Sequence, residues 1–466
     1  MSDRNIDVAI IGAGTAGLAA ERNARRTGAT TVLIDKHFSG TTCTNVGCMP
    51  SKLLIAAARA AHSVATAEVF GISVEARIDG PAVMRRIRKL RNEFVGTILE
   101  SFEKLPEGVA LKGAAKFVEE GVLQVGEQRI NAKAIVIATG SSPVIPTVFH
   151  GLRNIHTNET IFDLEDIPRS LAVIGAGPLG LELAQAFSRL GVRVAVFDEG
   201  DKISALRDEK VAQMLKDILC DELDLKLGTD IRSAANVGAG VELNWEGDKP
   251  GRETFDCVLV AAGRPPNVKE LGLAESGLKL DEHGVPEFDR QTMQCGNSAV
   301  FMAGDADADA PVLHEASAEG GIAGYNAASY PEVRKSKRMV PLAITFVEPS
   351  VATVGSPLSD GMLIGEASYA DQGRAKVDGQ NEGIIRIYAE RDGLLKGATF
   401  VAPQGEHLAH LVAWAIQTGH TATSLLEMPF YHPTVEEGLR TALREICKQV
   451  DKGIPSYIDE GDAPGF

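Results

Sequence analysis

The chain has 466 residues, of which 44% are hydrophobic and 24% are charged, so it is an ordinary globular sequence that is too long for one compact core. Its 47 Lys and Arg against 63 Asp and Glu give a formal net charge of −16, which argues against nucleic acid and anionic membranes as partners. The sequence has no apolar run of roughly 20 residues to span a membrane and no signal-peptide pattern at its start, so neither is expected.

Residues 7–35 (DVAIIGAGTAGLAAERNARRTGATTVLID) predict a strand, a glycine-rich turn, a helix and a second strand. Gly12, Gly14 and Gly17 satisfy the spacing G-x-G-x-x-G, in which the glycines permit a tight turn, the approach of a pyrophosphate and close helix packing. Asp35 follows Gly17 by 18 residues, where a carboxylate accepts hydrogen bonds from ribose hydroxyls. The segment therefore predicts a dinucleotide-binding module.

A cysteine pair follows in residues 40–62 (GTTCTNVGCMPSKLLIAAARAAH). Four residues, including Gly47, separate Cys43 from Cys48, which allows the two sulfurs to meet. Cys48 stands where a helix is predicted to begin, and the helix dipole there stabilises a thiolate. Two buried structural cysteines or a metal site are the alternatives, although no His or further Cys lies at ligand spacing. The adjacent nucleotide module favours a redox-active disulfide.

Four other cysteines are scattered singly, and a small core side chain is the predicted role of each. They are Cys220, Cys257, Cys295 and Cys447. Six cysteines in a chain of this length do not form a disulfide framework, which favours the reducing cytoplasm.

The pattern of the first module returns in residues 171–198 (LAVIGAGPLGLELAQAFSRLGVRVAVFD). Gly175, Gly177 and Gly180 repeat the glycine spacing, and Asp198 again follows by 18 residues. An acidic residue at this position favours a free 2′-hydroxyl and repels a 2′-phosphate, which predicts NAD(H) rather than NADP(H). The glycines alone leave open which module holds which nucleotide.

Buried strands are also predicted at 133–140, 255–267 and 298–305, the last ending in Gly304 and Asp305. From about residue 341 alternating strands and a helical run predict a separate α+β domain, and Asp451–Phe466 predicts a surface tail.

Residues 40–52 (GTTCTNVGCMPSK) resemble the active-site segment of the flavin-dependent pyridine nucleotide–disulfide oxidoreductases, the family of dihydrolipoamide dehydrogenase, glutathione reductase and mercuric reductase. IATG (137–140), AAGRPPN (261–267) and FMAGD (301–305) are similar to its connecting and flavin-binding strands, so the resemblance covers essentially the whole chain. It implies an α/β fold with two Rossmann-like domains, for FAD and NAD(P), and a C-terminal α+β dimerisation domain. The predicted boundaries are 1–147 and 266–338 for the two parts of the FAD domain, 148–265 for the NAD domain and 339–466 for the dimerisation domain.

The resemblance also implies roles for the site residues. Cys43 would exchange with the substrate, Cys48 would be the thiolate against the flavin, and Lys52 and Glu182 match the ion pair beside the reactive flavin nitrogen. Asp305 would hold the ribityl chain of FAD. The implied cofactor-binding residues are Gly12, Gly14, Gly17, Asp35, Lys52, Thr139, Gly140, Gly304 and Asp305 for FAD, and Gly175, Gly177, Gly180, Asp198 and Gly263 for NAD(H).

A base is expected near the C-terminus, because a thiol with a pKa of about 8.5 is a poor nucleophile at neutral pH. His432 and Glu437 are five residues apart, and a carboxylate beside an imidazole fixes its tautomer and stabilises its cation. The pair matches the family's His-Pro-x-x-x-Glu element, in which the His reaches the disulfide of the other subunit. The resemblance therefore implies a homodimer.

Within the family, Asp198 and the segment CMPSK favour dihydrolipoamide dehydrogenase, which passes electrons from dihydrolipoamide, free or on a carrier protein, to NAD⁺. The apolar stretch Leu53–Ala61 is expected to suit a lipoyl arm better than a charged tripeptide. Phe430-Tyr431 before His432, DADADAPVLHEA after Gly304, and Gly40-Thr41 before Cys43 depart from the usual pattern and are expected to reshape the substrate mouth.

Two alternatives to this function stay open. One is an NADH-dependent reductase of another small-molecule or protein disulfide. The other is a non-catalytic, redox-sensing docking subunit of a larger complex, although the base His432 and the cation Lys52 argue against a pure scaffold. No metal is expected.

Overall fold

The computed structural model describes residues 3–450, so the predicted tail Asp451–Phe466 lies outside the described residues. The helices are α1 (Thr15–Arg26), α2 (Thr42–Asn45), α3 (Cys48–Ala65), α4 (Gly80–Glu103), α5 (Pro178–Arg189), α6 (Glu209–Cys220), α7 (Leu313–Ser329), α8 (Gly373–Val377), α9 (Gly405–Gln417), α10 (Ala422–Leu426) and α11 (Glu437–Cys447). None of the described helices is long and apolar enough to cross a membrane.

The strands form four sheets. They are β1 (Asp3–Ile11), β2 (Thr31–Asp35), β3 (Ala110–Lys112), β4 (Ala115–Glu119), β5 (Val122–Val125), β6 (Gln128–Ile137), β7 (Ile155–His156), β8 (Ser170–Ile174), β9 (Arg193–Phe197), β10 (Asp224–Lys226), β11 (Asp230–Val237), β12 (Gly240–Glu246), β13 (Gly251–Phe255), β14 (Cys257–Val260), β15 (Val300–Met302), β16 (Leu342–Thr345), β17 (Ser350–Gly355), β18 (Leu363–Ser368), β19 (Ile384–Ala389) and β20 (Leu395–Ala402).

The first sheet has the order β3-β2-β1-β6-β5-β4, and β15 pairs with β6. The pairs β1–β2, β1–β6 and β15–β6 are parallel, and helices α1 and α7 pack together. Burial on both faces explains the apolar run Val8–Ile11 in β1. Because the carboxyl ends of parallel strands meet at one edge, the turns at Gly12, Thr139 and Gly304 lie at the same edge of the sheet.

The second sheet is parallel, with the order β10-β9-β8-β14-β7. Gly175 follows β8 and Asp198 follows β9, so this module repeats the arrangement of the first, as the sequence predicts. A third, antiparallel sheet of β11, β12 and β13 packs on it through Trp245, whose ring lies edge-on to Phe197 at 5.1 Å between centroids. The two βαβ modules are confirmed, whereas the residue boundaries between the domains stay a prediction.

The fourth sheet is antiparallel, with the order β16-β17-β20-β19-β18, and α9 and α11 pack against it. This is the predicted C-terminal α+β unit. It is fastened to the second module through Asp208, whose carboxylate accepts hydrogen bonds at 2.6 Å from both Arg386 and Tyr388. Asp208 also caps α6 by accepting from the backbone N–H of Val211.

Two expectations from the sequence were wrong. Cys220 is exposed, because it ends α6 next to solvent, whereas Cys257, Cys295 and Cys447 are buried as predicted. The apolar stretch Leu53–Ala61 does not offer a surface to a lipoyl arm.

The reason lies in the packing of α3. Leu54, Ile55 and Ala58 are buried in one core cluster with Leu183 and Phe187 of α5. The apolar face of α3 is therefore buried in the contact between the two modules.

Candidate active site

One cavity of about 720 Å³ reaches both glycine turns and the cysteine pair, which is the size of a small-molecule or cofactor site. It brings together these predicted residues: Gly14, Cys43, Cys48, Lys52, Gly140, Gly175, Gly177, Glu182, Asp198, Gly263, Gly304 and Asp305. Three other predicted glycines do not line the cavity but pack within the glycine turns: Gly12, Gly17 and Gly180.

The glycine turns have the tight packing that their spacing predicts. Gly12 has a φ of +105°, and a Cβ on it would lie 2.3 Å from the carbonyl oxygen of Ala138. A Cβ on Gly17 would lie 1.8 Å from the carbonyl oxygen of Gly12. The second module repeats this contact, since a Cβ on Gly180 would lie 2.0 Å from the oxygen of Gly175. Side chains at these positions would push each helix off its strand.

The space in front of each helix fits a pyrophosphate. Gly14 and Gly177 occupy the N-cap positions of α1 and α5, and a Cβ on either would meet nothing within 4 Å. An open helix N-terminus binds anions through its free N–H groups and dipole. The hydroxyl of Thr139 is buried and has no hydrogen-bond partner among the described residues. These features fit one dinucleotide in each module.

Asp35 and Asp198 have equivalent surroundings. Asp35 accepts from the backbone N–H of Ala13 at 3.0 Å, and Asp198 accepts from that of Ala176 at 2.6 Å. Each carboxylate thus holds its glycine turn, which the sequence did not predict. A carboxylate has about four acceptor sites, which leaves capacity for the predicted ribose hydroxyls.

Cys43 lies in α2, and Cys48 is the first residue of α3; both are free thiols in this structure. Hydrogen bonding from the Cys43 thiol and the charge of Lys52 outweigh burial and lower the pKa of Cys48 to about 7. The same hydrogen bond and burial raise the pKa of Cys43. The pair therefore holds its negative charge on Cys48, which is the first residue of α3 and lines the cavity together with Cys43.

Lys52 lies one helical turn beyond Cys48. Its Nζ is 2.6 Å from Oε2 of Glu182, which is buried in α5. The backbone N–H of Phe346 donates to the other oxygen of Glu182 at 2.8 Å, and the Phe346 ring lies 4.3 Å from Lys52 Nζ. The ion pair is therefore fixed from three parts of the chain.

Three further polar residues line or support the cavity. Ser141 donates to Asp305 at 2.8 Å, Arg264 donates to Ser141 at 3.2 Å, and Arg264 also donates to Asn158 at 2.8 Å. Ser141 directly follows the motif at 137–140, and Arg264 lies within AAGRPPN. The family resemblance therefore pointed to the segments that hold both residues, although it did not single out either residue. Asn158 carried no signal in the sequence.

A second cavity, of about 330 Å³, adjoins the glycine turn of the second module. Its walls include Val148, Phe149 and Ile231, and Asp198 lies at its border with the main cavity. A pocket with these apolar side chains, beside the carboxylate that the sequence predicts to bind ribose, suits the adenine end of a nucleotide. Its wall residues come from distant segments, which local motifs do not reveal.

The predicted base lies in the C-terminal unit, outside the lining of the main cavity. His432 Nδ1 is 3.1 Å from Oε1 of Glu437, the first residue of α11. The backbone N–H of Thr434 donates to the other Glu437 oxygen at 3.2 Å. The His432 side chain is 56% exposed, so its ring faces outward from this chain.

Comparison with known proteins agrees with this geometry. Residues 6–321 match the pyridine nucleotide-disulphide oxidoreductase family, and residues 342–443 match the dimerisation domain of the same family. The chain belongs to this family. Members use FAD and a pyridine nucleotide, so the fold class and the two cofactors predicted from the sequence are confirmed.

Relatives of this chain within the family differ in what their names state. A dihydrolipoyl dehydrogenase of Haloferax volcanii is 30% identical over 95% of this chain and 96% of that protein. A mercuric reductase of Staphylococcus aureus is 27% identical over 97% of this chain and 84% of that protein. The structure of an HOCl-induced flavoprotein disulfide reductase from Escherichia coli covers 94% of this chain and 99% of its own, with a TM-score of 0.81 and 20% identity, and therefore shares the fold.

Proposed function

We propose that this protein is a dihydrolipoamide dehydrogenase, which oxidises dihydrolipoamide, free or on a carrier protein, with NAD⁺. The supporting observation is that Cys43, Cys48 and the Lys52–Glu182 pair share one cavity with both glycine turns. FAD in the first module would supply the transfer of an electron pair between the dithiol and the nicotinamide. Gly14, Gly140, Gly304 and Asp305 would hold it.

The exchange at the cysteines is a balanced thiol–disulfide reaction. One thiolate of dihydrolipoamide attacks Cys43 in the Cys43–Cys48 disulfide, which forms a mixed disulfide and releases Cys48 as a thiolate. The second substrate thiolate then displaces Cys43 and closes the lipoamide disulfide. The substrate loses two electrons and two protons. The cysteine pair gains the electrons, His432 accepts one proton, and the other goes to Cys43, which leaves as a thiol.

This role of His432 needs a second copy of the chain. His432 and Glu437 do not line the cavity of their own chain, and an apolar groove of about 520 Å³ lies beside them. Trp414 at 63% and Tyr431 at 82% exposure border that groove, which is a large apolar surface to leave in water. We propose that a homodimer covers the groove and brings His432 of each copy to Cys43 of the other.

The nucleotide is proposed to be NAD(H). Asp198 lies at the border of both cavities in the second module, where its charge would repel a 2′-phosphate. We propose a cytoplasmic location, because four of the six cysteines are scattered singly along the sequence and do not form a disulfide framework.

A steady-state assay with NAD⁺ and dihydrolipoamide tests the function. Turnover by the wild type should exceed that of Cys43→Ser by several orders of magnitude, and equal turnover would contradict the proposal. A parallel panel of oxidised thiols with NADH identifies a reductase of another disulfide if one of them is turned over faster. Negligible turnover in both assays would favour a docking subunit.

A further inference from the structure

A line of hydrogen bonds joins the loop between the two cysteines to the carboxylate of Asp305. The Val46 carbonyl accepts from Asn158 Nδ2 at 2.8 Å, and Asn158 Oδ1 accepts from Arg264 Nη1 at 2.8 Å. Arg264 Nη2 donates to the Ser141 carbonyl at 2.7 Å. The Ser141 hydroxyl donates to Asp305 Oδ2 at 2.8 Å.

Val46 occupies the break between α2 and α3, the two helices that carry the cysteines. It is the C-cap of α2, and Gly47, the N-cap of α3, follows it. A Cβ on Gly47 would lie 2.9 Å from the carbonyl oxygen of Thr42, so the chain turns sharply here. The orientation of the Val46–Gly47 peptide therefore sets how Cys43 and Cys48 face each other.

Asn158 is well placed to hold this peptide. Asn158 is only 3% exposed, and both the Nδ2 and the Oδ1 of its side-chain amide are hydrogen-bonded. Asn158 follows β7, where the chain enters the second module, and Arg264 follows β14, where the chain leaves it. The loop between Cys43 and Cys48, called the redox loop below, is thus hydrogen-bonded to the two segments where the chain crosses between the modules.

We propose that Asn158, held by Arg264, is a positioning residue that fixes the peptide between Cys43 and Cys48 and so sets the dithiol–disulfide balance of the pair. This rests on the redox role of the cysteines in the proposed function. A disulfide requires an S–S bond of about 2.05 Å and a torsion near 90°. Both cysteines that flank this peptide are free thiols in this structure, so the peptide orientation that Asn158 holds is that of the dithiol, and loss of the Asn158 side chain favours the disulfide.

The balance is measured on the FAD-loaded protein at pH 7 in buffers of reduced and oxidised glutathione. Each dithiol that closes passes two electrons to one oxidised glutathione, which leaves as two reduced molecules. After an acid quench, the free thiols are alkylated and the dithiol fraction is read by mass spectrometry. This readout does not depend on turnover.

Asn158→Ala should shift the equilibrium roughly tenfold toward the disulfide. Asn326→Ala is the matched control, since Asn326 is also buried and its amide donates to the carbonyls of Thr292 and Arg334, away from the redox loop. It should stay within about twofold of the wild type.

Arg264→Gln should shift the balance in the same direction, and the double variant should shift it no further than Asn158→Ala alone, because both act through one contact. A balance in Asn158→Ala equal to that of wild type overturns the proposal. If Asn158→Ala does not fold, an unchanged balance in Arg264→Gln overturns it instead. If the Asn158→Ala variant shifts the balance but the wild-type protein fails to oxidise dihydrolipoamide, the proposed substrate is wrong and the positioning role still holds.

Discussion

Lys52 Nζ lies 2.6 Å from Glu182 Oε2, and this contact joins the helix that begins at Cys48 to the helix that follows the second glycine turn. The two charges act on Cys48 with opposite sign, since Lys52 lowers the pKa of its thiol and Glu182 raises it. A contact between the modules therefore adjusts the reactivity of the cysteine pair.

Lys52→Met should slow the alkylation of Cys48. Loss of the cation raises the pKa of Cys48, and at pH 7 a one-unit rise from about 7 would cut the thiolate fraction roughly fivefold. The measurement is the rate of iodoacetamide reaction with the reduced protein, with modified Cys48 located by peptide mapping. Glu182→Gln keeps an acceptor for Phe346 and should accelerate the reaction. Equal rates in both variants would contradict the electrostatic coupling.

The pH profile of the same reaction tests the hydrogen bond between the two thiols. In the wild type the rate should rise with pH and reach half its maximum near pH 7, because only the thiolate reacts and the pKa of Cys48 is lowered to about 7. Cys43→Ala removes the donor, so the midpoint should move to alkaline pH, toward the ordinary value of about 8.5. A midpoint that stays near pH 7 would show that Cys43 does not stabilise the thiolate.

The sequence predicted the glycine turns from spacing alone, because the turn, the helix start and the close packing at Gly12 and Gly17 depend on local chain geometry. The pairing of Lys52 with Glu182, 130 residues apart, came from the family resemblance. Asn158 and Phe346 were missed because their contacts form only when distant segments pack together. The error at Leu53–Ala61 has the same origin, since hydropathy identifies an apolar face but not the surface that covers it.

His432→Gln should lower dihydrolipoamide oxidation by roughly 10²–10⁴-fold, the range expected for a general base. Glu437→Gln should lower it less, because the base remains and only its partner at 3.1 Å is weakened. NADH oxidation with ferricyanide, which bypasses the dithiol, should stay near the wild-type rate in both variants. His283→Gln replaces a well-exposed histidine and serves as the control. If these two variants lose as much activity in the ferricyanide assay as in dihydrolipoamide oxidation, His432 and Glu437 have a structural role instead.

Asp208→Ala should lower the free energy of unfolding by about 3–5 kcal/mol, because it leaves Arg386 without its buried carboxylate. Burial opposes ionisation of Asp208, but hydrogen bonds from Tyr388 and Arg386 outweigh it and hold the pKa below its ordinary value. The stabilisation is therefore present at neutral pH and fades as the pH falls below about 4.

Urea unfolding of wild type and Asp208→Ala at pH 7 and below pH 4 measures both effects. Asp371→Asn removes an exposed carboxylate paired with Lys376 and should change stability by less than about 1 kcal/mol. A difference between wild type and Asp208→Ala that is the same at both pH values would contradict the role of the charge.

Asp198→Asn should weaken the preference for NADH over NADPH by roughly tenfold, or about 1.4 kcal/mol, because it removes the charge that repels a 2′-phosphate. The preference is the ratio of kcat/KM for the two nucleotides. Asp201→Asn, an exposed neighbour on the same loop, is the control and should leave the ratio unchanged. A preference for NADPH in the wild type would reverse the assignment.

The relay from nicotinamide to the cysteine pair is tested most directly by anaerobic titration of the FAD-loaded protein with NADH, followed by absorbance. After two electrons per chain, a long-wavelength band from the Cys48 thiolate to the flavin should appear, and Cys48→Ser should lack it. Bleaching of the flavin at two electrons without this band, in protein that begins with the Cys43–Cys48 disulfide, would contradict the relay.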